Sequence, residues 1–197
     1  MKNFLCLLLI FGLGAPLTAQ TLSGVSARWS DSFVEWELYA KTEYDSTEAH
    51  DSEGTDEELY GELKLRWLNL RDDWTEWDFT LGAERGTIRL KWKDDPTQWE
   101  LRTYSGAVVT MRAAWNNDLS EWRVTDNDVT LIWRSRWTSQ ADEWVLTDSA
   151  RGMFYLYTVY EGDPRDWVID DQLDTSVSEP MKMAMIFLTV FHSTPRM

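Results

Sequence analysis

The sequence predicts a mainly β fold, an antiparallel meander of about twelve strands closed into a barrel around an apolar C-terminal helix. Three observations predict it. Large residues spaced seven apart recur along the chain, the segments beside them alternate between apolar and polar residues, and the last segment is almost entirely apolar. Alternation with period two is typical of half-buried strands, and recurrence at a fixed interval is typical of repeated hairpins.

The first 19 residues have the pattern of a signal peptide. Lys2 provides the positive start, residues 4–13 form an apolar stretch, and residues 15–19 form a small-residue cleavage zone. We therefore expect an exported protein, periplasmic or extracellular, with a single mature domain over residues 20–197. The apolar stretch is too short for a transmembrane anchor, because a helix needs about 20 residues to span a bilayer. The only cysteine, Cys6, lies in this segment, so we expect no disulfide in the mature chain.

Pairs of large residues seven positions apart define six similar units. From the second unit onward, the second member of the pair recurs every 22 or 23 residues. The six residues inside each pair are rich in Asp, Asn, Pro and Gly, so we expect six hairpin loops with the two members of each pair facing each other. The pairs are Trp29 and Trp36, Leu70 and Trp77, Trp92 and Trp99, Trp115 and Trp122, Trp137 and Trp144, and Tyr160 and Trp167.

The segments that flank these loops are predicted as antiparallel strands. Residues 87–92 alternate between polar and apolar side chains, as a half-buried strand does. In the expected register, Lys91 lies opposite Glu100 and Arg28 lies opposite Glu37, and each such pair contributes about 0.2–1 kcal/mol. The hairpins are expected near residues 25–40, 59–82, 86–104, 107–126, 129–148 and 152–171.

One interruption separates the first two units. Residues 42–58 contain eight acidic residues and few apolar ones, which predicts a solvated acidic loop. Residues 51–58 superficially suggest an oxygen-ligand metal loop, but they lack the alternating ligands and the terminal Glu of an EF-hand. We expect no metal site there.

The C-terminal segment predicts a helix over about residues 179–192. Ser178 is a suitable N-cap, Glu179 favours the positive end of the helix dipole, and Pro180 is common in a first turn. The residues that follow are nearly all apolar, so the helix must be buried on every side. A sheet of about twelve strands curled around it would supply those surroundings and leave no open edge.

This arrangement resembles the tubby C-terminal barrel and its relatives, the LURP-one-related and phospholipid scramblase proteins. The resemblance implies a closed barrel that encloses the C-terminal helix, and it suggests a lipid-associated protein as one alternative function. Phosphoinositide-binding tubby domains use a basic surface pocket, and scramblases use membrane anchoring and cysteine lipidation. This chain is acidic and its only cysteine lies in the predicted signal peptide, so no family site residue is carried over.

The charge of the chain limits its partners. Without Lys2, 18 basic residues face 34 acidic ones, which gives a net charge near −16. Such a charge opposes attraction to nucleic acid phosphates and to anionic lipid head groups. We expect an unknown protein or a neutral ligand at the cell envelope as the partner, with no nucleic acid and no cofactor.

Two groups of residues are candidates for a binding surface. Trp67 and Trp74, for which the second unit offers two registers, and Trp29 are the best candidates for exposed aromatics, and exposed indoles could stack on sugars or on apolar ligands. For most of the tryptophans, packing in the core is the competing interpretation, since they recur in phase with the buried face. The acids that precede the second aromatic of their units could form a column that binds Ca²⁺ or supports acid/base chemistry. They are Glu35, Glu76, Glu121, Glu143 and Asp166, of which Glu76, Glu121 and Glu143 are the candidate binding residues. Outward-facing polar residues at the start of a strand are the alternative.

The sequence has no motif that identifies an enzyme. We find no Gly-rich phosphate loop, no Gly-x-Ser-x-Gly elbow and no paired-His motif. The expected function is therefore that of a non-catalytic exported protein that binds a partner or has a structural role at the cell envelope. A lipid-associated protein and a carbohydrate-binding module that uses exposed Trp are the alternatives.

Overall fold

A computed structural model describes residues 20–42, 57–68, 73–137, 139–148 and 150–195. The predicted signal peptide lies outside these residues, as does most of the predicted acidic loop.

The described residues form a closed antiparallel barrel of twelve strands. Each strand pairs with its neighbours in sequence, and β1 closes the barrel by pairing with β12, where Gly24 lies opposite Val168. This confirms the predicted fold class. The strands are β1 (Gln20–Trp29), β2 (Ser32–Thr42), β3 (Glu57–Leu65), β4 (Glu76–Leu81), β5 (Glu84–Trp92), β6 (Asp95–Thr103), β7 (Val108–Trp115), β8 (Asp118–Thr125), β9 (Thr130–Trp137), β10 (Gln140–Asp148), β11 (Gly152–Tyr160) and β12 (Asp163–Leu173).

The hairpin loops are shorter than predicted. In the β5–β6 hairpin Trp92 lies opposite Asp95, so the loop has two residues, and Trp99 lies opposite Leu90 rather than Trp92. The predicted facing of the two aromatics is therefore wrong. The same two-residue connection and register shift occur in β1–β2, β7–β8 and β11–β12.

Asp side chains accompany the altered register in three of these hairpins, whereas β1–β2 has the same register with Ser32 at the corresponding position. Asp95 Oδ1 accepts a hydrogen bond of 2.9 Å from the backbone N–H of Thr97. The start of β6 forms a bulge here, since several residues of β6 lie opposite one residue of β5. Corresponding bonds occur at Asp73, Asp118 and Asp163.

The predicted ion pairs shift with the register. Arg89, not Lys91, lies opposite Glu100. Ser26 lies opposite Glu37, but the guanidinium of Arg28 still comes within 3.8 Å of the Glu37 carboxylate.

The second aromatic of each unit is buried inside the barrel and satisfies its own polar group. Each of these six indole N–H groups donates to the backbone carbonyl three residues earlier, at distances from 2.8 to 3.1 Å. A buried donor without such a partner would destabilise the fold. The six residues are Trp36, Trp77, Trp99, Trp122, Trp144 and Trp167.

The helix α1 (Glu179–Ser193) runs inside the barrel, with every residue from Pro180 to Phe191 buried. This confirms the predicted helix and its burial on all sides. Ser178 occupies the N-cap position, but its side chain makes no capping hydrogen bond. The ring of Phe187 lies 4.9 Å from that of Trp99, and Thr189 accepts a hydrogen bond of 3.1 Å from the indole of Trp133.

The two ends of the barrel differ. Because successive strands alternate in direction, the hairpins β1–β2, β3–β4, β5–β6, β7–β8, β9–β10 and β11–β12 all lie at one end, which we call the rim end. The helix ends there too, since Ser193 Oγ donates a 2.5 Å hydrogen bond to the carbonyl of Ala141 in β10. Among the described residues, no helix combines the length and the apolar character needed to cross a bilayer.

Candidate functional site: an exposed aromatic rim

Six large aromatic side chains are exposed at the rim end of the barrel. The prediction of core packing holds for the second aromatic of each pair but not for the first aromatics, which are exposed; Leu70, the first member of the second pair, lies outside the described residues, and Trp67 is the exposed aromatic of that unit. The exposed fraction ranges from 42% for Trp67 to 68% for Tyr160. We call this set the aromatic rim: Trp29, Trp67, Trp92, Trp115, Trp137 and Tyr160.

The hairpin geometry places these rings outside the core. Trp92 is the last residue of β5 and lies at the exposed tip of the hairpin. Trp99 follows the bulge in β6, and its side chain is buried inside the barrel. Neighbouring strands are about 4.8 Å apart, so hairpin tips that are two strands apart lie about 10 Å from each other. Each of the six hairpins at this end therefore carries one exposed aromatic side chain.

Carboxylates anchor several of these rings. The indole N–H of Trp29 donates to Glu35 at 3.3 Å, and that of Trp67 donates to Glu76 at 3.2 Å. A hydrogen bond from Trp137 to Glu143 is among the interactions that lower the pKa of Glu143. The exposed rings therefore have defined orientations, with the polar edge held against the barrel wall.

An arginine immediately before the ring completes each of these three sites. The guanidinium of Arg28 lies 5.7 Å from the ring centre of Trp29, and that of Arg136 lies 5.4 Å from the ring centre of Trp137, both within cation–π range. Arg66 forms an ion pair with Glu76. We call these three sets the Arg–Trp–Glu triplets: Arg28, Trp29 and Glu35; Arg66, Trp67 and Glu76; Arg136, Trp137 and Glu143.

The triplet carboxylates are held in their ionised form. A hydrogen bond from Lys64 lowers the pKa of Glu35, and one from Tyr155 lowers the pKa of Glu143. Burial opposes ionisation of Glu76, but hydrogen bonds from Arg89 and Arg66 outweigh it, so the pKa of Glu76 is also below its ordinary value. Such carboxylates accept hydrogen bonds well but are poor general acids at neutral pH.

The predicted column of acids does not converge on one point. Glu76, Glu121 and Glu143 occupy corresponding positions on β4, β8 and β10, with other strands between them. Glu121 lies opposite Arg134 in the β8–β9 ladder, and Glu143 pairs with Arg136 at 3.2 Å. Within the described ranges, no group of three His, Cys, Asp or Glu residues could hold a metal ion.

Trp74 differs in its exposure from Trp67, the other candidate aromatic. It is half-buried, its ring lies 5.9 Å from that of Trp77, and its carbonyl accepts the Trp77 indole N–H. The structure therefore places Trp67 on the exposed rim and Trp74 beneath it, against the core.

Sequence reasoning missed most of the rim. Trp92, Trp115, Trp137 and Tyr160 follow the same spacing as the buried aromatics, so their exposure was not expected. One signal was visible, since an Arg-Trp dipeptide occurs at 28–29, 66–67 and 136–137, always with a Glu one position before the next buried Trp.

These observations define a closed twelve-stranded antiparallel barrel that surrounds a C-terminal helix and carries an exposed aromatic rim. The barrel and its helix are compatible with a tubby-like fold. No protein-family model, no curated protein and no solved structure matches the chain.

Proposed function

We propose that this protein is an exported, non-catalytic binding protein of the cell envelope that holds neutral carbohydrate chains on its aromatic rim. The observation that carries the proposal is the circle of six exposed aromatic side chains at one end of the barrel. Flat aromatic faces contact the apolar C–H faces of sugars, while nearby charged groups bond to hydroxyls.

The triplets support this proposal because they orient the rings before a ligand arrives. Trp29 is fixed at its N–H by Glu35, and the Arg28 guanidinium lies over its ring. A ring that is already ordered loses little conformational freedom on binding, so more of the contact energy contributes to affinity. The carboxylate and guanidinium groups lie beside the ring, where sugar hydroxyls can reach them.

The spacing of the rim favours a polymer over a single sugar. One stacking contact is weak, but a chain that reaches two or more rings gains avidity from its high local concentration. Successive hairpins of the rim end are about 10 Å apart along the barrel wall, a span that an extended chain can bridge. We therefore expect polysaccharides to bind much more tightly than monosaccharides.

The same geometry disfavours a lipid-associated function. Glu35 and Glu76 touch the rings of the rim and are ionised, so inserting the rings into an apolar phase would also remove water from the carboxylates. The net charge of −15 for the whole chain opposes binding to anionic lipids.

The charge state of the rim also favours binding over catalysis. Glycoside hydrolysis usually requires one carboxyl group with a raised pKa as the acid. The pKa values of Glu35, Glu76 and Glu143 are all lowered instead.

The test measures binding of residues 20–197 to soluble neutral polysaccharides, namely a glucan, a mannan and a xylan, by affinity electrophoresis and calorimetry. We expect at least one to bind, and we expect Trp115→Ala and Tyr160→Ala to weaken that binding about tenfold each. Tyr104→Ala is the matched control, because Tyr104 is 73% exposed at the opposite end of the barrel, in the β6–β7 connection.

Three results would overturn the proposal. Equal loss of binding in Tyr104→Ala would show that the rim has no special role. Binding to zwitterionic phospholipid vesicles with no binding to any polysaccharide would favour the lipid-associated alternative. Release of new reducing ends from a bound polysaccharide, lost in Glu76→Gln, would show that the protein is an enzyme.

A further inference from the structure

A cleft of about 600 Å³ opens at the rim end, where the helix ends. Its walls come from β2, β10, the β11–β12 hairpin and the residues that follow α1. A volume of this size is in the range that holds small ligands, roughly 300–1,000 Å³. Because the cleft lies between the hairpins that carry Trp29, Trp137 and Tyr160, a chain bound on the rim passes beside it.

The cleft is acidic. Its lining includes the carboxylates of Asp142 and Glu161, and none of its described lining residues is Lys, Arg or His. Asp142 Oδ1 is buried and has no hydrogen-bond partner among the described residues. Because Oδ1 itself is covered, a ligand in the cleft meets the remainder of the Asp142 carboxylate, whose negative charge favours a cationic donor.

The helix reinforces this preference. Ser193 and Pro195, at and just after the end of α1, line the cleft. The C-terminal end of a helix carries partial negative charge from its free carbonyl groups. The carboxylates and the helix end therefore favour the same positive ligand.

The remaining walls are apolar. Phe33, Pro164 and Pro195 border the cleft, and the Trp167 ring lies beneath it. Apolar walls with a few acidic groups suit a ligand that has a compact hydrocarbon ring and one positive group. An inorganic cation would leave the apolar surface unused.

We propose that this cleft binds the protonated amino group of an amino sugar within the glycan held on the aromatic rim. The inference rests on the proposed function, since the rim supplies the chain and the cleft adds selectivity for one kind of unit. The ammonium group donates to Asp142, Glu161 lies at the cleft mouth, and the sugar ring packs against Phe33 and Pro164. The preferred ligand is thus a glycan that carries free amines.

The test compares two oligosaccharides that differ only in charge. Glucosamine oligomers carry free amines, and N-acetylglucosamine oligomers of the same length do not. In a mildly acidic buffer that keeps the amines protonated, we expect the glucosamine oligomer to bind about tenfold more tightly, the effect of one charge-assisted hydrogen bond.

Three variants test whether the preference for the glucosamine oligomer arises in the cleft. Asp142→Asn should abolish the preference for the glucosamine oligomer. Thr158→Lys should also abolish it, because Thr158 lines the cleft and a lysine there would place a competing ammonium inside. Asp94→Asn is the matched control, since Asp94 is an exposed acid in the β5–β6 turn of the same rim end and should have no effect.

The outcomes separate this inference from the proposed function. Equal binding of the two oligomers, with binding lost in Trp115→Ala, would overturn the cleft and leave the rim as the binding surface. Unchanged affinity for both oligomers in Trp115→Ala and Tyr160→Ala, with the preference for the glucosamine oligomer retained, would support the cleft and overturn the rim. Equal loss in Asp94→Asn and Asp142→Asn would show only general attraction to an acidic protein and would overturn the cleft.

Discussion

The indole N–H of Trp67 lies 3.2 Å from Oε2 of Glu76, which joins an exposed ring of the rim to the first residue of β4. Glu76 also accepts a 2.7 Å hydrogen bond from Nε of Arg89 and forms an ion pair with Arg66. One carboxylate therefore links three hairpin segments and fixes the orientation of a surface aromatic.

Glu76→Gln should reduce stability at neutral pH by about 1 kcal/mol, because the two arginines lose a charged acceptor but are partly exposed. The pKa of Glu76 is lowered in the folded state, so its contribution is present above the unfolded pKa and is lost as the pH falls through the folded pKa. Urea denaturation of wild type and variant should therefore converge in acid. Glu121→Gln is the matched control, and a difference that persists undiminished at low pH would contradict the assignment.

Trp99→Phe should cost about 2–4 kcal/mol. It removes the 3.1 Å hydrogen bond to the Pro96 carbonyl and leaves a space against Phe191, whose ring lies 4.7 Å from that of Trp99. Trp92→Phe changes the exposed member of the same unit and should cost less than about 0.5 kcal/mol. Similar losses for the two variants in thermal unfolding would show that burial does not distinguish them.

Lys182→Met should be the most destabilising of these changes, by about 3–5 kcal/mol. Lys182 Nζ lies 2.7 Å from Asp171 Oδ2, and the two side chains are only 10% and 2% exposed. Removing the ammonium leaves a buried carboxylate without its cation. The double variant Lys182→Met with Asp171→Leu should recover much of the loss, and a double variant no more stable than the single one would argue against this pair.

Glu179→Gln should increase stability at neutral pH by at most about 1 kcal/mol. Burial raises the pKa of Glu179, Asp171 raises it further, and Lys182 only partly opposes them. A raised folded pKa means that the contribution of Glu179 is fully present below its unfolded pKa and is lost as the pH rises through its folded pKa. The gain from the variant should therefore disappear in acid, and melting temperatures measured across this range check the sign. A variant that is less stable at neutral pH would disprove the argument.

Local pattern was enough to predict the strands and the helix. The alternation around residues 87–92 and the apolar run of residues 183–191 are properties of consecutive residues. These two patterns also predicted that the sheet closes into a barrel, because a helix that is apolar on all sides requires a surrounding sheet. Lys182 did not fit the apolar pattern, and its partner Asp171 lies on β12, where only folding brings it into contact.

The alternation of apolar and polar residues did not predict the register of the hairpins. Trp92 and Trp99 have the same residue type and each fits the alternation of its own flank, so both were expected inside. A bulge at the start of β6 shifts the ladder, so that Trp99 lies opposite Leu90 and is buried, while Trp92 lies opposite Asp95 at the exposed tip of the hairpin. The register of the folded hairpin therefore separates a core residue from a surface residue.

Sequence alone thus established a twelve-stranded antiparallel barrel filled by a C-terminal helix, since period and hydrophobicity act locally. The aromatic rim, the Arg–Trp–Glu triplets and the acidic cleft depend on tertiary structure. Asp142 on β10, Glu161 in the β11–β12 turn and Ser193 at the end of α1 are far apart in the chain. They meet because barrel closure and the return of the helix bring these elements to the same end.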